Sequence, residues 1–448
     1  MLPHFSLWTI WSAGFIFLFW IWAGPGERDL FHPLRLAGSI WFGCLFLASL
    51  RLLPTISSWD ASFWFELTLP LVAFGVGFKL KESFARRRIA RPGSAAGAAA
   101  EFPIAAVLAV AAACLLIGAV ALAFLYRQIG GIPIFAANID KARMAFFGVG
   151  ADQAASHYNT LGNKLLYLGV GFLCYAIYLA WLVVILRIPK TRLHIASAWA
   201  IVILGTAAYW SQGGRFFVFI VCLVVLLLYN LLRERVTLRQ AAAFFAVMVV
   251  VLSAAAFFRG NASHDIGDET TALLSSSLGT QRSAQIFTSG YWTMTSSFEV
   301  FYRLRNDLQL IGPHPGFLFY GLHSLFPRTN IQAVCEELYS GATITPTFLG
   351  EFYGDGGMVG IMLGPLLLGF ATAWWYTSFR SGRTVFGALA LAMWLSWLAF
   401  IPYVNFFSQY ITWVIDLLAL WALTRLIAAG SPARQRLPVQ GLAVSVGP

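Results

Sequence analysis

An all-α, polytopic membrane protein is the fold class the amino-acid sequence predicts, on three observations. Hydrophobic residues make up 59% of the 448-residue chain and charged residues only 11%, less than half the roughly one quarter that coats a soluble domain. Apolar runs of about 20 residues, the length that spans a hydrocarbon core, recur along the whole chain. Lys and Arg concentrate in alternate loops, as they do on the cytoplasmic side of membrane proteins. These features exclude a cytosolic globular enzyme, a disordered regulator and a secreted disulfide scaffold. The net charge of +11 follows from the loop bias, so no nucleic-acid partner is implied. Cys44, Cys114, Cys174 and Cys222 lie in apolar runs and Cys335 alone in a polar one, so no disulfide framework is expected.

Eleven segments are long and apolar enough to span, each necessarily helical because lipid offers its backbone no partners. In order they are 5–23, 36–53, 64–80, 103–125, 164–187, 195–211, 216–232, 241–258, 357–377, 384–402 and 409–428. The first opens without a basic leader or a small-residue cleavage site and is expected to be retained rather than removed as a signal peptide. After the third, Lys79, Lys81, Arg86, Arg87, Arg88 and Arg91 crowd one loop, which places that loop in the cytoplasm. Alternating from there, 19 of the 30 basic residues fall on the cytoplasmic side and 11 outside, with the N-terminus outside and the C-terminus inside. The chain then divides into spans 1–8 over 1–258, a long outward loop over 259–345, spans 9–11 over 346–430 and a disordered cytoplasmic tail over 431–448. A shorter outward loop runs over 127–163. Within the long loop, the stretch 272–304 mixes apolar residues with Ser and Thr, a pattern of helices lying along the membrane surface.

The outward arginines raise the functional question. Arg143 follows Gly130-Gly131-Ile132-Pro133 and Asp140-Lys141. Arg215 follows Gly213-Gly214 at the mouth of a span, and Arg328 follows Pro327. An isolated interfacial Arg ordinarily snorkels to headgroups. Three of them beside Gly or Pro turns on one face suggest instead an anion site, since the guanidinium fork matches phosphate oxygens. At Arg215 the free N–H groups of a helix N-terminus add to that field. Acid/base candidates are Glu351 and Asp355, spaced i, i+4 before the ninth span, and Glu66 and Asp416 within apolar runs, where an ionisable group is costly. His157, His314 and His323 lie in the outward loops. No spacing resembles a metal cage, and neither metal nor cofactor is expected; the lack of a phosphate-binding loop and of a Gly-x-Ser-x-Gly elbow argues against an ATP-driven pump and a serine hydrolase.

The long loop and ninth span carry a family resemblance. Phe326-Pro327-Arg328, Thr345-Pro346-Thr347-Phe348-Leu349-Gly350-Glu351-Phe352-Tyr353 and Gly354-Asp355-Gly356-Gly357, leading into Gly360-Ile361-Met362-Leu363-Gly364, resemble the Wzy-type O-antigen (oligosaccharide repeat-unit) polymerases. Gly130-Gly131-Ile132-Pro133 with Arg143, and Gly213-Gly214-Arg215, are similar to that family too. Members usually carry an Asn-Phe-Gly-like turn where this chain has Asp355-Gly356-Gly357. The resemblance implies the architecture of the C-type membrane glycosyltransferase superfamily. It implies inverting, metal-independent transfer on the periplasmic face of the bacterial inner membrane, between undecaprenyl-pyrophosphate-linked glycans. It also implies a flippase and a chain-length regulator protein as partners. On that reading Arg215, Arg328 and Arg143 stabilise the leaving pyrophosphate, and Glu351 takes the acceptor proton. His323, Arg282, Tyr353, Asp355 and Lys141 contact substrate, and Trp292, Tyr302 and Tyr320 stack on sugar rings. Two other readings share these residues. One is the O-antigen ligase, which moves finished glycan to lipid A core and depends on a loop histidine. The other is a lipid-linked sugar transporter, which calls for charge along the middle of several spans.

Overall fold

The computed structural model describes residues 6–24, 27, 29–52, 58–88, 103–136, 161–186, 191–212, 215–258, 291, 294–306, 346–382, 384–403 and 410–429. Among them the chain is helical, with no β-strand. The helices are α1 (Leu7–Trp22), α2 (Pro33–Ser49), α3 (Ala61–Arg88), α4 (Ile104–Ile129), α5 (Leu161–Ile185), α6 (Arg192–Trp210), α7 (Arg215–Leu232), α8 (Leu238–Phe258), α9 (294–306), α10 (Leu349–Gly382), α11 (Val385–Ala399) and α12 (Tyr410–Ala429). Each of the eleven apolar segments coincides with one of them, and α9 is the addition. Five stretches among the described residues have the length and apolarity to cross a membrane: Ala61–Phe84, Ile104–Ile129, Leu165–Ile185, Arg192–Trp210 and Leu349–Ser381. Leu7, Ile10 and Phe17 on α1 and Val359 on α10 stand exposed, an arrangement suited to lipid rather than water.

The chain packs as two units. The first comprises Met1–Ser94, Thr237–Gly382 and Trp394–Leu417, the second Ala95–Val236, Arg383–Met393 and Leu418–Pro448. In the first, the principal contact is α3 against α10, and glycines allow it. A Cβ on Gly77 would overlap the Leu366 carbonyl, and one on Gly369 would overlap the Phe74 carbonyl, so the two backbones touch as small-residue membrane interfaces do. The helices run parallel. Near their starts Phe63 of α3 and Tyr353 of α10 both pack on Phe301, and near their ends Phe78 packs on Tyr376.

Two polar ends follow from that arrangement. At the finishing end of α3 and α10 the basic residues gather with acidic partners: Arg380 bonds Glu27 at 2.9 Å and Lys79 bonds Glu82 at 2.7 Å. Asp29, Phe31 and His32 of the α1–α2 connection are buried there. Arg35 donates to the Asp29 and Gly24 carbonyls, and the Tyr376 hydroxyl donates to Asp29 at 3.3 Å. His32 caps α2 there, its Nδ1 accepting the Leu34 N–H. Burial, reinforced by Lys79, Arg35 and Arg380, pushes its pKa down to about 3, so it is neutral at physiological pH. At the starting end, α9 lies over α2, α3 and α10 through Phe298 on Trp41 and Phe301 on Phe63. Trp41 also packs on Phe348. The Tyr291 hydroxyl donates to the Leu47 carbonyl and accepts from the Leu52 N–H.

The second unit is built on α4 and α5, with α6 and α7 alongside. Gly118 and Gly169 again sit where a Cβ would strike the facing helix, at Leu173 and Ala121. Val107, Ala111, Leu173, Ala176, Leu179 and Leu227 fill the core.

Candidate functional site

In the first unit the site begins with the capping of α3. Asp60 Oδ1 accepts the Phe63 N–H and the Ser62 hydroxyl, both at 2.7 Å, satisfying one of the donors a helix start leaves free. Burial alone would raise the Asp60 pKa. The bonds from Ser62 and Phe63 and the charge of Arg305 outweigh it, so the carboxyl lies below its ordinary value and is ionised at neutral pH.

Arg305 projects from α9 into this cap. Its Nη1 lies 3.3 Å from Asp60 Oδ2, its Nη2 donates to Ser62 Oγ at 2.7 Å, and its Nε lies 2.9 Å from Glu66 Oε2. The last contact is an ion pair without the alignment of a hydrogen bond. On α10, Tyr353 packs edge-on against Phe301 of α9 at 5.7 Å. Arg305 thus ties α9 to the start of α3, with Tyr353 of α10 alongside. A second pair lies a turn and a half earlier on α9. Buried Glu299 accepts the Trp59 indole N–H and the Arg303 Nε, both at 2.9 Å.

The start of α10 is bounded by two unusual backbones. Thr347, buried, has φ +54°, a conformation that is strained for a β-branched residue. Its Oγ1 accepts the Leu349 N–H at 3.1 Å. Gly357, at φ +54° and ψ −138°, breaks the helix, and a side chain there would be forced into the same unfavourable region. Glu351, Tyr353 and Asp355 occupy the helical stretch between. Glu351 is 8% exposed and Asp355 half-buried. The i, i+4 helical spacing expected of the two carboxylates is therefore present, and the break falls where span nine was expected to begin.

The other motif site is in the second unit. Gly130 ends α4 at φ +79°, and the Gly131 N–H bonds back to the Tyr126 carbonyl at 3.0 Å. The turn Pro133–Phe135 then docks on the end of α6, with the Ile134 N–H donating to the Ser211 carbonyl at 3.3 Å. Ser211 Oγ donates to the Ala208 carbonyl, so the Tyr126 hydroxyl, 2.5 Å away, donates to Ser211. Gln212 beside it is 3% exposed, and its Nε2 has no partner among the described residues. Three residues on, Arg215 is the first residue of α7.

Of the expected site residues, Glu351, Tyr353 and Asp355 fall together on α10, and Arg215 opens α7. Arg143, Arg328, Lys141, Arg282 and His323 lie outside the described residues, as do His157, His314, Trp292 and Tyr320. Tyr302 packs edge-on against Phe63 at 4.9 Å. Asp416 is half-buried on α12. Among the described residues no three His, Cys, Asp or Glu side chains gather as metal ligands. Reading the sequence missed Arg305, Asp60 and Glu299. Only Asp60 left a local signal, an N-cap residue directly before an apolar run. Compared with protein families, curated proteins and solved structures, the chain matches none.

Proposed function

We propose that the chain is an inner-membrane glycosyltransferase that joins undecaprenyl-pyrophosphate-linked oligosaccharide repeat units on the periplasmic face, making O-antigen, capsule or exopolysaccharide. The observation that carries the reading is the docking of the Pro133–Phe135 turn on Ser211. It joins the two motif segments that resemble the polymerases, immediately before the glycine pair and Arg215. The parallel run of α3 and α10 adds support. It puts α9, part of the long loop, at the end away from Lys79 and Arg380, as alternating spans require.

In this reaction an acceptor hydroxyl oxygen attacks the anomeric carbon of the lipid-linked glycan. The bond from that carbon to the pyrophosphate oxygen breaks, and its electron pair leaves on the lipid pyrophosphate. The acceptor proton passes to a carboxylate. Arg215 at the α7 N-terminus, with Arg143 and Arg328, stabilises the departing charge, and Glu351 is the base. The repeat units arrive through a flippase, and a chain-length regulator limits the product.

Deleting the protein tests the reading. The host should then carry single repeat units in place of polymer, seen by gel banding and by the mass of lipid-linked intermediates. Long polymer left on the lipid would instead identify a ligase, and unaltered polymer would refute both. Replacing Glu351 by Gln, which keeps shape and removes the base, should lower turnover by about 10²-fold with little change in substrate binding. Normal rates from that variant would move the base elsewhere.

A further inference from the structure

The cluster around Arg305 differs from the arginine site in its charge. With Asp60 ionised, Asp60, Glu66 and Arg305 carry no net positive charge whichever form Glu66 takes, and the adjacent Glu299–Arg303 pair sums to zero. Such a site does not attract a pyrophosphate. Its chemistry suits neutral hydroxyl groups. The Asp60 side chain is 53% exposed, and a carboxylate has about four lone-pair sites, of which Ser62, Phe63 and Arg305 occupy part. The Ser62 hydroxyl is exposed beside it. An aromatic ring borders these groups: half-buried Tyr302 is held edge-on against buried Phe63, which in turn packs against Trp59 at 5.3 Å. The Trp64 indole, one residue on, packs against Trp59, and its buried N–H has no hydrogen-bond partner among the described residues, a group that bound water or a ligand hydroxyl ordinarily satisfies. Carboxylate, guanidinium and hydroxyl beside aromatic faces present the donors, acceptors and apolar surface that a pyranose ring displays in alternation.

We infer that Asp60, Ser62, Tyr302 and Arg305 form a binding site for an uncharged saccharide, separate from the groups that hold lipid pyrophosphate. Asp60 and Ser62 accept hydrogen bonds from sugar hydroxyls, Tyr302 covers a ring face, and Arg305 holds the carboxylates in place. The inference deepens the proposed polymerase reading, for which this is the place of a glycan chain distal to its lipid.

The test uses the full-length protein in lipid nanodiscs. One probe is a single repeat unit released from its lipid by mild acid, and the other is farnesyl pyrophosphate. Wild-type protein binds both. Asp60→Asn and Tyr302→Ala should each weaken oligosaccharide binding about tenfold or more, the loss of one charged hydrogen bond or one ring contact, and leave farnesyl pyrophosphate binding unchanged. Arg215→Ala should do the reverse. Thermal melts of each variant confirm folding, and Asp60→Glu, which retains the charge, should restore part of the binding. The inference is overturned if wild type fails to bind the oligosaccharide or if Asp60→Asn and Tyr302→Ala bind it normally. Saccharide binding at this cluster in a protein that polymerises nothing would retain the site and sink the polymerase reading.

Discussion

Replacing Arg215 by Ala is expected to abolish polymer while leaving the amount of folded protein intact. Arg215 is the first residue of an 18-residue helix, whose initial N–H groups have no partners within the helix and whose dipole adds positive potential. An anion reaching that helix start meets its free amides. In the proposed reaction charge on the pyrophosphate grows as the glycosidic bond breaks, so a fixed cation there would lower the barrier more than it tightens ground-state binding. Removing one preorganised group of this kind ordinarily costs about 10²–10³ in rate. Lys retains the charge without the fork, so Arg215→Lys should fall between wild type and Ala. Chain-length distribution by gel, with protein quantified by immunoblot, measures both effects. Full-length glycan from the Ala variant would remove Arg215 from the mechanism.

The helices were legible because a hydrocarbon environment leaves the chain little choice. Any apolar run of sufficient length had to be helical, and each of the eleven is. The basic end was legible too. Arg35, Lys79 and Arg380 come from three different loops of the sequence, yet the loop bias alone assigned them to one side, and they gather at one end of the first unit. What sequence could not supply was pairing. Arg305 and Asp60 are 245 residues apart, and neither carries a local mark of the other. Arg305 read as one more outward cation, Glu66 as one more costly charge in a span. Their meeting depends on α9 lying across the start of α3, which no periodicity encodes. Glycine presents the same problem in another form. The run Gly354-Asp355-Gly356-Gly357 announced a break, but only the backbone angles show that Gly357 is where it falls. Nothing in the sequence separates Gly77 and Gly369, which carry a helix contact, from Gly14 and Gly43, beside which there is open space.

That difference among glycines has a large expected consequence. Gly369→Ala and Gly77→Ala should each destabilise the first unit by about 3 kcal/mol, the upper part of the range for overpacked cores. The reason for the upper part is the identity of the obstructing atoms. A Cβ at either position meets a main-chain carbonyl, of Phe74 or Leu366, which cannot turn aside as a side chain can. Relief therefore requires α3 and α10 to separate along their most extensive contact. Both helices carry rings that pack on Phe301 beside Arg305, so the displacement should also loosen the junction of α3, α9 and α10 and, on the proposed function, reduce activity in whatever protein still folds. Gly14→Ala supplies the control. Nothing lies within 4 Å of a Cβ there, and by helix propensity the change should stabilise α1 by up to about 1 kcal/mol. Thermal unfolding of the purified variants in one detergent gives the comparison. Equal stability for Gly369→Ala and wild type would mean that the two backbones do not approach as closely as α3 and α10 do here, and the parallel pairing on which the polar ends depend would fall with it.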